Sequence, residues 1–414
     1  MNICFVGSSN TIFTHSYLIF LKKIFNNVYF IDISKEQSQQ VDFINSSDIL
    51  RLYHQSNSSR VRLSYLKRLF KYFKLDRFSQ FIFFLDLLDN FKKLNKSQSS
   101  SIEKFLSEKD IDVFVYFWGT TVKAEKKAIE STSLYRMEGG NKFKNKKPQS
   151  ILIVNTYPVR SNVGFYDSFT LSFIDKRFFK SFNSVSFPSE EMKSFFDRNK
   201  IPYNKYQIIP DFLSSSFSSM HSLEYNIDFN NLGGASIEAL VARDVSCLVF
   251  LGNTNFKSRT IDDVYEQIFE IAEHGICVWL QESDDLSQIM KDKSHDNINT
   301  FKPFSYSQIV EGHLTKFLSH FDGVLMIYND INNARTASGF PTRFALSLFA
   351  NIPVFVNSDA FVFLKNKFNG VVYEFNTPDD IECVISNNTR VGVDFSVCLE
   401  EYSEQWKKFI TNSN

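Results

Sequence analysis

The stretch ASGFPTRFALSLFANIPVFV, Ala337–Val356, joins a small-residue turn to an apolar segment and then to a Pro-started β-branched run. Its apolar residues first recur at helical spacing and then run unbroken after Pro353, the pattern of a helix followed by a buried strand. Gly339 lets the backbone come close to a ligand, and Pro341 and Thr342 suit the first positions of a helix. Exposed amides at such a terminus, reinforced by the helix dipole, make an anion site. Arg343, one step in, adds a fixed positive charge if its side chain turns back toward the turn. The same residues also suit an ordinary helix-opening turn with a solvated arginine.

On either side of this stretch the pattern alternates. Before it come the strand patterns NICFVG, VYFIDIS, IDVFVYFWG, SILIVNTYP, the short FNSVSFP and YQIIP, with helical periodicity in THSYLIFLKKIFN and in SEEMKSFFDRN, which Ser189 is expected to cap. A polar run, SSSFSSMHSLEYNIDFNNLGGAS, interrupts the series. It then restarts with CLVFLG, the amphipathic TIDDVYEQIFEIAEHG, ICVWLQ, GVLMIYND, IPVFV and GVVYEF. Strands alternating with helices imply parallel sheets covered on both faces. The expected fold is therefore α/β, with two Rossmann-like parallel-sheet domains facing across a cleft. Their expected ranges are 1–240 and 241–395, followed by a C-terminal segment, 396–414. Ligands are expected at the carboxyl ends of the strands.

Bulk properties fit this reading. A chain of 414 residues exceeds one hydrophobic core, so two domains are expected. The 43% hydrophobic and 22% charged residues are those of a globular chain. No apolar run reaches the ~18 residues needed to span a bilayer. MNICFVGSSN has no signal-peptide pattern and reads as a first strand. The five cysteines lack CxxC spacing, which fits a reducing cytoplasm and gives no zinc motif. Zero net charge hides an asymmetry. Residues 1–240 carry 32 Lys and Arg against 23 Asp and Glu, and the remainder 14 against 23. The basic excess includes RVRLSYLKRLFKYFKLDRF, Arg60–Phe78, whose apolar and lysine faces suit either an anionic membrane surface or packing on the domain core. No nucleic-acid recognition module is present.

In this order and spacing the segments resemble those of glycosyltransferases of the GT-B fold, above all the family 4-like branch that builds surface polysaccharides. VGSS ends the first strand, with His15 at the head of the next helix. SVSFPSEEMKSFF is similar to the family's strand followed by S-E-x-x-K, and IIPDFL to its I-P-N-G-V turn. VFLGNTNFKSR resembles V-G-R-x-x-x-x-K, and GFPTRFALSLFANIPVFV resembles G-F-P-x-K-x-x-E-x-x-A-x-G-x-P-V-I.

The resemblance implies a nucleotide-sugar donor in the second domain and a glycan or lipid-linked acceptor on the first, with neither metal nor other cofactor. It also makes EEYSEQWKKFI, within 396–414, similar to the family's final helix, which crosses back to the first domain. It assigns the donor diphosphate to Lys257, Arg259, Gly339, Phe340, Thr342 and Arg343. His15 is the candidate general base, a core or capping role being its alternative. Ser8, Ser9, Tyr157 and Arg160 are the acceptor-side candidates. One departure is plain: Ser338 and Leu346 stand where family 4-type enzymes carry two glutamates. That leaves open a catalytically silent glycan-binding or scaffold relative, and a sugar-nucleotide epimerase of similar fold.

Overall fold

The computed structural model describes residues 1–34, 39–52, 94–133, 147–155, 157, 176–217, 245–252, 262–327, 339–357, 361–387 and 398–411. The expected boundary at residue 240, the basic segment 60–78, Arg160, Lys257, Arg259 and Ser338 lie outside them.

The chain divides into two compact units, one of Met1–Pro210 with Tyr402–Asn414 and the other of Asp211–Glu401. Among the described residues the first holds a seven-stranded sheet in the order β3-β2-β1-β4-β5-β6-β7. Its strands are β1 Asn2–Gly7, β2 Asn27–Asp32, β3 Ile49–Arg51, β4 Val113–Phe117, β5 Gln149–Ile153, β6 Ser184–Phe187 and β7 Lys205–Ile208. The second holds a six-stranded sheet in the order β10-β9-β8-β11-β12-β13. These are β8 Cys247–Phe250, β9 Cys277–Gln281, β10 Ile298–Phe301, β11 Gly323–Met326, β12 Val354–Asn357 and β13 Val372–Phe375. Both orders step outward from the first strand, return, and continue on the other side, the doubly wound Rossmann arrangement.

Every described pairing in both sheets is parallel. Ile3, Cys4, Phe5 and Val6 on β1 are each 0% exposed, so successive side chains are covered on both faces. That explains why the central strands read as unbroken apolar runs rather than as alternations. The strands Ile49–Arg51 and Ile298–Phe301 escape the sequence pattern because they are short and partly polar edge strands.

Local signals set the helix ends. Thr11 caps helix Ile12–Ile24 by accepting from the Thr14 amide, and Ser189 caps helix Glu190–Arg198 by accepting from Met192. Helix Thr342–Ala350 ends at Asn351, which takes the left-handed conformation, φ 55° and ψ 44°. A glycine is usual there, and asparagine is the next residue to tolerate it.

Two ties fix the membership of the chain ends. The units change over after Pro210, and the segment that follows is held inside the second unit. Leu213 O accepts from the Leu399 amide at 3.0 Å, Ser214 Oγ donates to Glu400 at 2.6 Å, and Phe212 packs on Phe340 and Phe368. Helix Ser403–Thr411 belongs to the first unit. Its Trp406, 0% exposed, lies edge-on to Tyr17 at 5.8 Å and Phe20 at 6.4 Å.

Candidate functional site

In an open parallel sheet the crevice forms where strand order reverses, outside the carboxyl ends. In the second unit that point lies between β8 and β11. β8 runs into Leu251 and Gly252, and the connection from β11 to β12 ends in the Gly339–Pro341 turn and helix Thr342–Ala350. The two segments that suggested a diphosphate site at sequence level therefore meet at one switch point.

Arg343 joins them. Its Nη1 donates to Leu251 O at 3.0 Å, and its guanidinium lies over the Phe250 ring, 5.5 Å from the centroid. Gly252 has φ +130°, a region closed to other residues without strain, and a Cβ placed there would sit 3.8 Å from the Arg343 guanidinium. The turn thus brings backbone and cation together. Pro341 occupies the helix N-cap with no side-chain capping bond, while its own carbonyl accepts from Phe344 and Ala345. Thr342 and Arg343 are partly exposed. Helix dipole and guanidinium then act on the same end of the helix.

Gly339 is buried, and Phe340 is buried among Phe212, Phe344, Phe363 and Phe368. The Phe340 side chain anchors the turn in the core, so this residue offers backbone rather than ring to a ligand. Lys367, missed in the sequence, brings its ammonium within 5.6 Å of the Phe340 ring centroid from helix Val362–Lys367. Leu346 is 3% exposed, so where the resemblance places a glutamate this helix has a core residue.

In the first unit the switch point lies between β1 and β4. Here the polar groups bind one another. The Asp32 carboxylate, 1% exposed at the end of β2, accepts from Ser9 N at 3.0 Å, Ser9 Oγ at 2.8 Å, Ser34 N at 2.9 Å and Ser34 Oγ at 2.6 Å. Ser8 Oγ lies 2.9 Å from Ser34 Oγ. His15, also 1% exposed, uses Nε2 to donate to Ser9 O at 2.7 Å. A carbonyl only accepts, which fixes the Nε2–H tautomer. Burial lowers the His15 pKa below its ordinary value, opposed by the Ser9 hydrogen bond and the Asp32 charge. The ring is a neutral imidazole that holds the Ser9 peptide. Asp32 and Ser34 gave no sequence signal, because an isolated Asp after a strand has many uses.

Tyr157 lies in the hydrophobic core at 1% exposure, its ring 5.1 Å from those of Phe179 and Phe196. Trp118, at the carboxyl end of β4, has φ 76° and ψ 73°. This left-handed conformation costs a bulky residue roughly 1–2 kcal/mol. Elsewhere, tertiary structure brings His274 Nε2 to within 2.9 Å of Asp379 and 3.8 Å of Glu382, an exposed group with no spacing signature. No helix among the described residues is long and apolar enough to cross a membrane.

No family model matches the sequence, and no curated protein matches it. Solved structures match in fold. Sucrose-phosphate synthase of Thermosynechococcus elongatus is 8% identical with a TM-score of 0.61, over 100% of this chain and 99% of that one. UDP-GlcNAc 2-epimerase of Methanocaldococcus jannaschii is 13% identical with a TM-score of 0.53, over 100% of both. A glycosyltransferase of Rickettsia africae is 12% identical with a TM-score of 0.52, over 100% of this chain and 94% of that one. With the two doubly wound sheets, these likenesses give the chain the two-domain, Rossmann-like GT-B fold.

Proposed function

We infer that this protein is a glycosyltransferase that takes a sugar from a nucleotide donor held by the second unit. The reading is carried by one observation: Arg343 reaches across the β8–β11 switch point to Leu251, beside Gly252 and the uncapped start of its own helix. Transfer breaks the bond between the anomeric carbon and a phosphate oxygen, leaving negative charge on the departing diphosphate. A helix N-terminus and a guanidinium fixed before the reaction stabilise that charge without reorganising. Lys257 and Arg259, a few residues after Gly252, are the proposed further cations, and Thr342 the proposed hydroxyl contact. Among neighbours of similar fold, a galactosyltransferase of the lipopolysaccharide outer core and a protein solved with UDP support a sugar-nucleotide donor.

The acceptor is assigned to the first unit, at the carboxyl ends of β1 and β4, as a glycan or lipid-linked sugar of surface polysaccharide synthesis. Ser8 is a partly exposed hydroxyl there; Arg160 keeps its proposed acceptor role, and the basic segment 60–78 its proposed place on anionic lipid at the cytoplasmic membrane face. Leu346 stands where the family 4 pattern has a glutamate, so the carboxylate contact to the ribose in that pattern has no counterpart at this position. A second reading, a sugar-nucleotide epimerase, is supported by the UDP-GlcNAc 2-epimerase neighbour.

Titration calorimetry with UDP, GDP and CMP tests the donor site. One nucleotide is expected to bind, and Arg343→Ala to reduce donor turnover roughly 10²-fold. A wild-type protein that binds none of the three is a silent relative, and epimer formed from donor alone selects the second reading.

A further inference from the structure

Trp118 is placed where its cost needs a reason. It ends β4 at the switch point of the first unit, and its backbone is left-handed although Gly119 follows directly. The turn needs that conformation, since Trp118 N–H donates to Ile153 O while its carbonyl accepts from the Thr121 amide and hydroxyl. Glycine meets the same need without strain.

Trp118 is half-buried and is not part of the hydrophobic cluster built around Phe114, Tyr116 and Leu152. The other two tryptophans are wedged among rings: Trp279 against Phe317 and Phe321, Trp406 against Tyr17, Phe20 and Phe409. Among the described residues Trp118 has no aromatic neighbour, in a chain with 16% aromatic residues. Its indole N–H is shielded from solvent and meets no acceptor. The N–H groups of Trp279 and Trp406 lack partners too, but those rings sit in cores at 3% and 0% exposure.

We propose that Trp118 is the binding platform for a sugar ring of the acceptor. This deepens the transferase reading, on which it rests, by making the acceptor's terminal unit a pyranose rather than a bare lipid phosphate. A pyranose offers what the indole lacks: a flat array of C–H groups for the electron-rich ring face, and hydroxyl oxygens for the N–H. A half-exposed ring that no aromatic neighbour clamps can turn its N–H toward such an oxygen. A phosphate would seek cations rather than an uncharged ring face.

The test uses the full chain labelled with 5-fluorotryptophan, whose three fluorine resonances are assigned by comparison with Trp118→Gly. Methyl glycosides of glucose, galactose and N-acetylglucosamine serve as probes, with UDP titrated separately. The Trp118 resonance is expected to move with at least one glycoside while those of Trp279 and Trp406 stay. Trp118→Gly is expected to weaken that glycoside about tenfold, to melt no lower than wild type, and to bind UDP unchanged. The proposal is overturned if the Trp118 resonance ignores all three glycosides, or if Trp118→Gly melts well below wild type as a core truncation does. Glycoside binding without UDP binding would instead leave Trp118 in place and remove the transferase reading.

Discussion

The two units share a topology and differ in how they use its switch point. At the first, after β1, the carboxylate of Asp32, the hydroxyls of Ser9 and Ser34 and the imidazole of His15 bind one another and hold the turn rigid. At the second, after β8, Gly252 opens the backbone and Arg343 presents a guanidinium anchored through a carbonyl. A carboxylate at the end of a second strand holds nucleotide ribose in dinucleotide-binding domains, but Asp32 is occupied by four internal donors. The fold places the crevice; local polar chemistry decides whether it favours an anion.

Substitutions that exchange these roles test the contrast. The largest effect is expected from Asp32→Ala, which leaves four buried donors without their acceptor. A stability loss of about 3 kcal/mol is expected by urea denaturation, with nucleotide affinity kept. Loss of nucleotide binding in that variant would mean the first switch point takes part in donor binding. Arg343→Ala should do the opposite, lowering donor turnover as stated above while the melting temperature moves little. Next comes Gly252→Ala, which forces a side chain into φ +130° beside Arg343. Its cost of about 1–3 kcal/mol should appear in stability, together with weaker nucleotide binding. Unchanged binding would separate the turn from the anion site.

The smallest effect is a pH dependence. Because burial holds the His15 pKa below the usual 6.5, the folded state resists a proton that the unfolded chain takes up. The stability that neutral His15 contributes is present above pH 6.5 and lost as pH falls below it, by at most about 1.4 kcal/mol per pH unit. Wild type should therefore lose urea resistance faster than His15→Gln between neutral and mildly acidic pH. Parallel curves would show that His15 does not carry this dependence.

Much of the fold is legible in the chain because it rests on local rules. Unbroken apolar runs such as ICFV and LIFL report burial, Ser189 and Thr11 satisfy orphan amides of the helices they open, and Asn351 accepts the backbone that stops one. The edge strands Ile49–Arg51 and Ile298–Phe301 are too short and polar for periodicity to register. Of the site, the Gly339–Arg343 turn could be read as an anion site, because glycine, proline and an adjacent cation at a helix start have a mechanism of their own. The use of each group could not. His15 and Tyr157 look alike in sequence as polar residues after strands, yet one clamps a peptide and the other fills the core.

By itself, then, the sequence determined the central strands, the helices that alternate with them and their order, and where a glycine–proline turn opens a helix. Only the tertiary structure decided that Arg343 meets Leu251 and that Asp32 serves Ser9. The physical reason is the parallel sheet. Its crossovers carry the carboxyl ends of strands far apart in the chain to one edge, where side chains meet that no local pattern connects.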